Sequence, residues 1–121
     1  MAFLNDAVLD AALDEIIDNV TTLYLCSSEP GTYAEASSTY ALGSRATPTV
    51  GTKADGDSSG RKCTVSAISD GTVSGTGTAS HWALTSGSVL YAAGSLTSTQ
   101  SVTSGNTFTL TAFDIEIPDA A

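Results

Sequence analysis

Apolar residues recur with helical spacing over the first twenty positions of the chain. Successive members lie three, four or one positions apart, which places them on one face of a helix with 3.6 residues per turn. The members of this stripe are Leu4, Val8, Leu9, Ala12, Leu13, Ile16, Ile17 and Val20. Asn5 is a residue type that caps helices, and Asp6 would follow in the first turn, where negative charge is favourable. We therefore predict an amphipathic helix over residues 1–20.

The opposite face of this predicted helix is acidic and lacks any base. Its charged members are Asp10, Asp14, Glu15 and Asp18. Because carboxylates spaced i,i+4 repel each other, the helix is expected to be weak on its own. Its apolar stripe must therefore be buried against the chain's own sheet or against a partner protein. The candidate partner-binding residues of the stripe are Leu4, Val8, Leu13 and Ile17.

Beyond residue 20 the pattern becomes that of β-strands. Segments rich in Thr, Val, Leu and aromatic residues are separated by clusters of Gly, Ser, Asp and Pro. A turn at Ser86 and Gly87 predicts a hairpin. Between Leu110 and Phe113 the inward-facing positions change from even-numbered to odd-numbered residues, which predicts a bulge near residues 111–112. The predicted strands cover residues 22–26, 47–50, 62–68, 79–84, 88–92, 96–102 and 107–117.

Three intervening segments are expected to be irregular. Residues 33–45 predict a loop with one helical turn, residues 52–60 a polar loop, and residues 69–78 a mobile connection or a poorly packed strand. The whole pattern predicts a mainly β fold, in which an N-terminal amphipathic helix is followed by a small antiparallel β-sandwich or barrel. With 121 residues, we expect one compact domain, divided into the helix at 1–20 and a β domain at 21–121.

The charge balance excludes several classes of partner. Four basic residues against 13 acidic ones give a net charge of −9. Such a chain is repelled by nucleic acids and by anionic membranes. The longest apolar run, at residues 89–93, is too short to cross a bilayer, and the first residues lack the basic start of a secretory signal. We expect a bacterial cytosolic protein or a part of a particle assembled there, with no nucleic-acid partner and no membrane partner.

No catalytic, metal-binding or cofactor-binding constellation is predicted. A hydrolase would depend entirely on His81, and the chain contains no Gly-x-Ser-x-Gly motif. The segment from Asp55 to Gly60 matches the first half of a calcium-binding EF-hand loop, but Ser66 occupies the position that requires glutamate. A plain turn is the simpler interpretation of this segment.

Two other pairs of reactive residues have simple structural interpretations. Cys26 and Cys63 lack the spacing of a redox or zinc site, so we expect two small buried hydrophobic residues, with one disulfide as the alternative. Asp114 and Glu116 lie two positions apart on a predicted strand, and they are expected to form a solvated face.

The four basic residues lie within one third of the chain: Arg45, Lys53, Arg61 and Lys62. This grouping either forms a docking patch for an acidic partner or has no functional meaning. For the docking hypothesis, the candidate residues are Arg45, Arg61 and Lys62.

Several stretches also resemble the sequences of a known class. They are TLYLCSSEP at 22–30, TYAEA at 32–36, YALG at 40–43, ASHWAL at 79–84, VLYAAGS at 89–95, VTSGNTFTL at 102–110 and FDIEIP at 113–118. These stretches resemble small virion proteins of tailed bacteriophages and prophages. The resemblance implies a non-enzymatic structural role, most simply that of a capsid decoration (cement) protein, which lies on the outside of the head shell and braces it.

The resemblance also implies partners and a location. The partners are the major capsid protein and further copies of the same chain, with a trimer favoured at a symmetry axis. The location is the outer capsid surface of a virion assembled in the bacterial cytoplasm. The alternative is a tail or head-fibre component that binds a host receptor or glycan. In that case Tyr33, Tyr40 and Tyr91 would offer platforms for sugars, although core packing explains these aromatic residues equally well.

Overall fold

The computed structural model of the protein describes residues 5–56 and 60–117 and has one α-helix, nine β-strands and one π-helical turn in these ranges. The predicted fold class, mainly β with an N-terminal helix ahead of antiparallel strands, is confirmed. In chain order the elements are α1 (Asp6–Asn19), β1 (Thr22–Cys26), the π-turn (Glu35–Thr39), β2 (Ala41–Ala46), β3 (Val50–Asp55), β4 (Arg61–Val65), β5 (Ile68–Val73), β6 (Gly77–Ser86), β7 (Val89–Val102), β8 (Thr107–Leu110) and β9 (Phe113–Ile117).

Helix α1 begins and packs as the sequence pattern predicts. The Asn5 side-chain oxygen accepts a hydrogen bond of 2.8 Å from the Ala7 backbone N–H, so Asn5 is the N-cap. Leu9 and Leu13 are the buried residues of the helix. The helix contacts β3 and β4. The chain's own sheet therefore receives part of the apolar stripe.

The chain forms two compact units, and one boundary between them lies at residues 19–20, next to the predicted one. The chain passes between the units again at residues 48–49, 67–68 and 110–111. The first unit contains α1 with the three-stranded sheet β3-β4-β9. The second contains the π-turn with the six-stranded sheet β7-β6-β1-β2-β5-β8. The helix thus shares a unit with strands that come from two separate parts of the predicted β domain.

In the first unit, β4 is the central strand and pairs antiparallel with both β3 and β9. Cys63 and Val65 alternate along it and are fully buried. They lie opposite Ile115 and Phe113 of β9, which are half-buried. This alternation leaves one face of the small sheet for packing and the other for polar residues.

The second unit is a six-stranded antiparallel sheet that curls on itself. Strand β1 lies between β2 and β6, and its buried Leu23 and Leu25 pair with Arg45 and Gly43 of β2. Strands β7 and β8 are the two edges of this sheet. The Gln100 side chain on β7 donates a hydrogen bond of 2.8 Å to the carbonyl of Thr109 on β8. The two edges therefore approach each other at this point.

The other face of β1 is covered by the π-turn. Cys26, Ala36 and Ala83 form a buried cluster, against which the half-buried Tyr24 and Leu90 pack. The region 33–45 was predicted to be a loop with one helical turn, and the helical turn is present. The remainder of that region was predicted wrongly, because residues 41–46 form β2 inside the sheet.

The predicted hairpin is confirmed between β6 and β7. Ser86 pairs with Val89, so Gly87 and Ser88 form a two-residue turn. Gly87 has a φ of 59°, whereas Ser88 is not in the left-handed region. Glycine at the first position alone with positive φ is the pattern of a type II′ turn, whose twist matches that of the paired strands.

The predicted strand at 107–117 is instead two strands. Residues 107–110 form β8 in the six-stranded sheet, and residues 113–117 form β9 in the three-stranded sheet. The change in which positions face inward, which suggested a bulge, instead marks the point where the chain passes from one sheet to another. The predicted polar loop at 52–60 is also corrected in part, since β3 extends through residue 55.

Candidate partner-binding surface

The structure places the four candidate residues of the helix stripe in different environments. Leu13 is fully buried and therefore belongs to the protein's own core. Ile17 is half-buried, and Val8 is 57% exposed. Leu4 lies outside the described residues. Of the three described members, Val8 is the most exposed.

Val8 belongs to a continuous exposed face of α1. Exposed positions recur at the spacing of one helix face, on the side away from Leu9 and Leu13. We refer to these residues as the exposed helix face: Ala7, Val8, Ala11, Ala12, Glu15 and Asp18. It combines small apolar side chains with two carboxylates, which suits close approach of a protein partner that carries basic groups. The sequence pattern alone missed this face because Val8 and Ala12 belong to the same apolar stripe as the buried leucines.

The acidic residues that flank the buried side of α1 meet bases from the sheet. The Lys53 ammonium lies 2.6 Å from Asp14 Oδ1, and the Arg61 guanidinium lies 2.8 Å from Asp10 Oδ1. Arg61 also contacts Asp55 Oδ1 at 2.7 Å. Two of the helix acids, Asp10 and Asp14, are therefore paired with bases on β3 and β4.

These contacts favour the charged forms of the bases. The hydrogen bond to Asp14 is the main reason that the pKa of Lys53 is raised. Hydrogen bonds to Asp10 and Asp55 likewise raise the pKa of Arg61. All of these groups retain solvent contact, so the ion pairs orient the helix more than they stabilise it.

Lys62 lies on the same strand as Arg61 and is also paired. Its ammonium is 3.2 Å from Asp114 Oδ2 on β9, and the Thr64 hydroxyl donates a hydrogen bond of 2.7 Å to Asp114 Oδ1. The Thr64 hydrogen bond and then the Lys62 contact lower the pKa of Asp114. Asp114 and Glu116 are both exposed, as the predicted solvated face requires.

Arg45 belongs to the second unit and pairs within it. Its guanidinium contacts Asp70 Oδ1 at 2.7 Å, across β2 and β5. Each of the four bases therefore contacts a carboxylate of its own chain. An acidic partner would have to displace these carboxylates, so the arrangement gives the docking hypothesis for Arg45, Arg61 and Lys62 no additional support.

An open depression of about 490 Å³ lies beside α1 in the first unit. Its lining residues are Asp14, Ile17, Val50, Gly51, Lys53 and Arg61. Ile17 and Val50 supply apolar surface, while the bases that reach it are hydrogen-bonded to helix carboxylates. The depression can accept an apolar side chain next to an already neutralised charge pair.

The residues considered for chemistry lie in ordinary structural settings. The His81 ring lies between two hydroxyls, with Ser80 Oγ at 2.7 Å from Nδ1 and Ser95 Oγ at 3.4 Å from Nε2. Ser80 Oγ also donates to the carbonyl of Ser27 at 2.9 Å. Within residues 5–56 and 60–117, no group of three or more potential metal ligands occurs. The candidate calcium loop lies partly outside the described residues, at 57–59.

The tyrosines proposed as sugar platforms are half-buried. The Tyr33 side chain is hydrogen-bonded to that of Tyr24, and burial together with this bond raises the pKa of Tyr24. Tyr40 packs against the buried cluster of Cys26, Ala36 and Ala83. Tyr91 lies on β7, where the register with β6 shifts by one residue. Packing within the second unit accounts for Tyr33 and Tyr40, which weakens the glycan hypothesis for these two residues.

Both cysteines are buried free thiols, as the main sequence interpretation expected. Burial raises the pKa of Cys26 to about 11, and burial raises the pKa of Cys63 as well. Cys26 Sγ lies 3.6 Å from the Ala36 carbonyl oxygen, to which it donates. Both thiols are therefore protonated at neutral pH.

We expect Cys26 to be unreactive in the native protein and to lower its stability at high pH. A thiol with a pKa of about 11 has roughly one thousandth of its molecules as thiolate at pH 8. Because folding raises the pKa, the stability that the protonated Cys26 thiol contributes is fully present below the unfolded-state pKa near 8.5. This stability is lost as the pH rises toward 11. Thiol labelling at pH 8, with and without denaturant, checks the first point. Unfolding curves from pH 8 to 11 check the second.

The Cys26→Ala variant is the control for this prediction. It should lose part of the decline in stability above pH 9, since Cys26 no longer titrates. Rapid labelling of native Cys26 at pH 8 would contradict the buried position.

The comparisons with known proteins leave the chain without an assigned family: no family model, no curated protein and no solved structure matches it. In the described part of the chain, no helix combines the length and the apolar character needed to cross a membrane.

Proposed function

We propose that the protein is a non-enzymatic structural component of a bacteriophage virion, of the capsid decoration type. In this role it binds the outside of the head shell and stabilises it through contacts with the major capsid protein. The proposal starts from the resemblance of the sequence segments to small virion proteins of tailed phages. A homo-oligomer accompanies it as a further prediction; the resemblance favours a trimer, and the edge strands described below offer a dimer as the alternative.

The exposed helix face is the observation that best supports this role. In the first unit, the described residues include eight acids and three bases, and all three bases contact carboxylates of the same unit. The exposed helix face places the carboxylates of Glu15 and Asp18 beside Ala7, Val8 and Ala11. Such a face is complementary to a shell surface that offers an apolar contact rimmed by Lys or Arg.

Cosedimentation with empty head shells tests the proposal directly. The shells come from the phage or prophage whose genome encodes the chain, and the salt concentration is varied from about 50 to 500 mM. We expect saturable binding at a stoichiometry related to the capsomers, with weaker binding as salt screens the acidic face. Shells carrying the protein should also withstand heating better than bare shells, because a ligand that binds the assembled state stabilises it.

A matched pair of variants locates the contact. Ala11 lies on the exposed helix face, and Ala112 is an exposed alanine of the same unit outside the helix. Ala11→Lys should weaken shell binding by about tenfold or more, because the lysine would oppose basic groups of the shell. Ala112→Lys makes the same change in charge and should bind like the unmodified chain.

Two results would count against the proposal. If the protein fails to bind shells and is found instead in isolated tails, the tail or head-fibre alternative becomes the better hypothesis. If both lysine variants bind equally well, the capsid contact lies elsewhere than on the exposed helix face.

A further inference from the structure

Formal charge is absent from a long, continuous part of the second unit. Residues 71–110 of this unit contain no Asp, Glu, Lys or Arg, although the chain as a whole has a net charge of −9. This part includes all of the β6–β7 hairpin and β8. The hairpin is therefore the region where two copies of this acidic chain can approach with little electrostatic repulsion.

The four edge strands of the two sheets differ in how they are protected from pairing with other chains. Strand β3 carries Lys53 and Asp55, and β9 carries Asp114 and Glu116. Strand β8 is only four residues long. Charge and short length are the usual means by which proteins prevent edge-to-edge association. Strand β7 has neither: it is 14 residues long and contains no charge and no proline.

The two halves of β7 have different neighbours. In the second half, Gln100 reaches across to the Thr109 carbonyl on β8. In the first half, residues 89–95, the strand pairs with β6, and no second strand pairs with it in the described part of the chain. A bulge at Tyr91 bends this segment without adding charge. Val89 at its start is 54% exposed.

We propose that residues 89–95 of β7 form a self-association edge, which pairs antiparallel with the same segment of a second copy of this chain. A two-fold axis brings identical strands together in antiparallel orientation, so each copy supplies the same donors and acceptors to the other. The partner is a second copy because an uncharged strand matches an uncharged strand, whereas a charged partner would find no complementary group on it. Pairing also covers Val89.

This self-association does not depend on the proposed capsid role, since it is a property of the purified chain. It produces a closed dimer, because a two-fold axis uses the same edge of both copies. The predicted trimer would require β7 to pair with a different edge strand of the next copy.

Sedimentation equilibrium of the full chain tests the proposal, over concentrations from about 1 μM to about 1 mM. We expect a reversible monomer–dimer equilibrium. Val89→Lys should weaken it at least about tenfold, because lysine on an edge strand opposes pairing and the apolar contact is lost. Val8→Lys is the control, since Val8 is equally exposed at 57% but lies on α1. It should leave the dimer unchanged.

Hydrogen exchange provides a second measurement that does not rely on a variant. Backbone amides within residues 89–95 should exchange more slowly at concentrations where the dimer forms, whereas those of β9 should not change. A chain that stays monomeric throughout, a trimer, or a dimer that Val8→Lys disrupts and Val89→Lys does not, would each overturn the proposal. None of these results would bear on whether the chain binds shells.

Discussion

Replacing Gly71 with alanine will lower the free energy of unfolding by about 1–3 kcal/mol, because the position has no room for a methyl group. Gly71 on β5 lies opposite Phe108 on β8, and a Cβ at Gly71 would overlap three carbons of the Phe108 ring. Phe108 is 1% exposed, so the ring cannot move aside without displacing packed neighbours. Urea unfolding followed by the fluorescence of Trp82, in the same unit, measures the change.

Gly75→Ala is the matched control for this prediction. Its new Cβ would meet its nearest neighbour, an atom of Leu42, at 3.5 Å, which is an ordinary contact. We expect a change within about 0.5 kcal/mol at this position.

A double-mutant cycle separates overpacking from other effects of the substitution. Phe108→Ala should cost about 3–5 kcal/mol by leaving a cavity. In that background Gly71→Ala should cost little, since the ring that it would strike is gone. If the two losses instead add, the close packing of Gly71 against Phe108 is not the cause.

This glycine also illustrates where the sequence interpretation was insufficient. Three glycines at residues 69–78 suggested a mobile connection or a poorly packed strand, because glycine lowers strand propensity. In the structure, residues 68–73 form β5, and Gly71 is there because a ring from another strand lies against its backbone. Gly43 on β2 faces the same ring. A contact between residues so far apart in sequence leaves no local signal.

The elements that were predicted correctly depend on local signals. Helix α1 follows from the 3.6-residue period and the Asn5 cap, and the β6–β7 hairpin follows from Gly87 in a short turn. Strand β3 was missed beyond residue 50 because an edge strand with one solvated face contains polar residues such as Lys53 and Asp55. At residues 111–112 the chain passes from one sheet to the other. Such a crossing and a β-bulge both change which residues face inward, and only the identity of the neighbouring strands distinguishes a crossing from a bulge.

The candidate surface was likewise predictable only in part. The sequence showed that the helix acids had no base within the helix, and that a few bases lay near each other. Which acid meets which base depends on the packing of α1 on β3 and β4, across 39 residues for Lys53 and Asp14. Helical periodicity also could not tell which stripe residues at the edge of the apolar face would be buried. Val8 is exposed, whereas Leu9 beside it is buried.

Leu13→Ala should therefore lower the stability of the fold, whereas Val8→Ala should leave stability unchanged and weaken shell binding. Leu13 is fully buried in the contact that holds α1, so its truncation should cost about 2–5 kcal/mol. The ion pairs of Lys53 and Arg61 retain solvent contact and cannot compensate for this loss. Thermal unfolding followed by far-ultraviolet circular dichroism should show a lower midpoint and an early loss of helical signal.

Val8→Ala should leave the unfolding free energy within about 0.5 kcal/mol, because its side chain is 57% exposed. If the exposed helix face contacts the capsid, the same substitution should weaken shell binding, since it removes the largest apolar side chain of that face. Measuring both variants in both assays separates folding from binding. If Val8→Ala unfolds the helix and Leu13→Ala does not, then the face of α1 that packs on the sheet is the opposite one, and the partner-binding face must be reassigned with it.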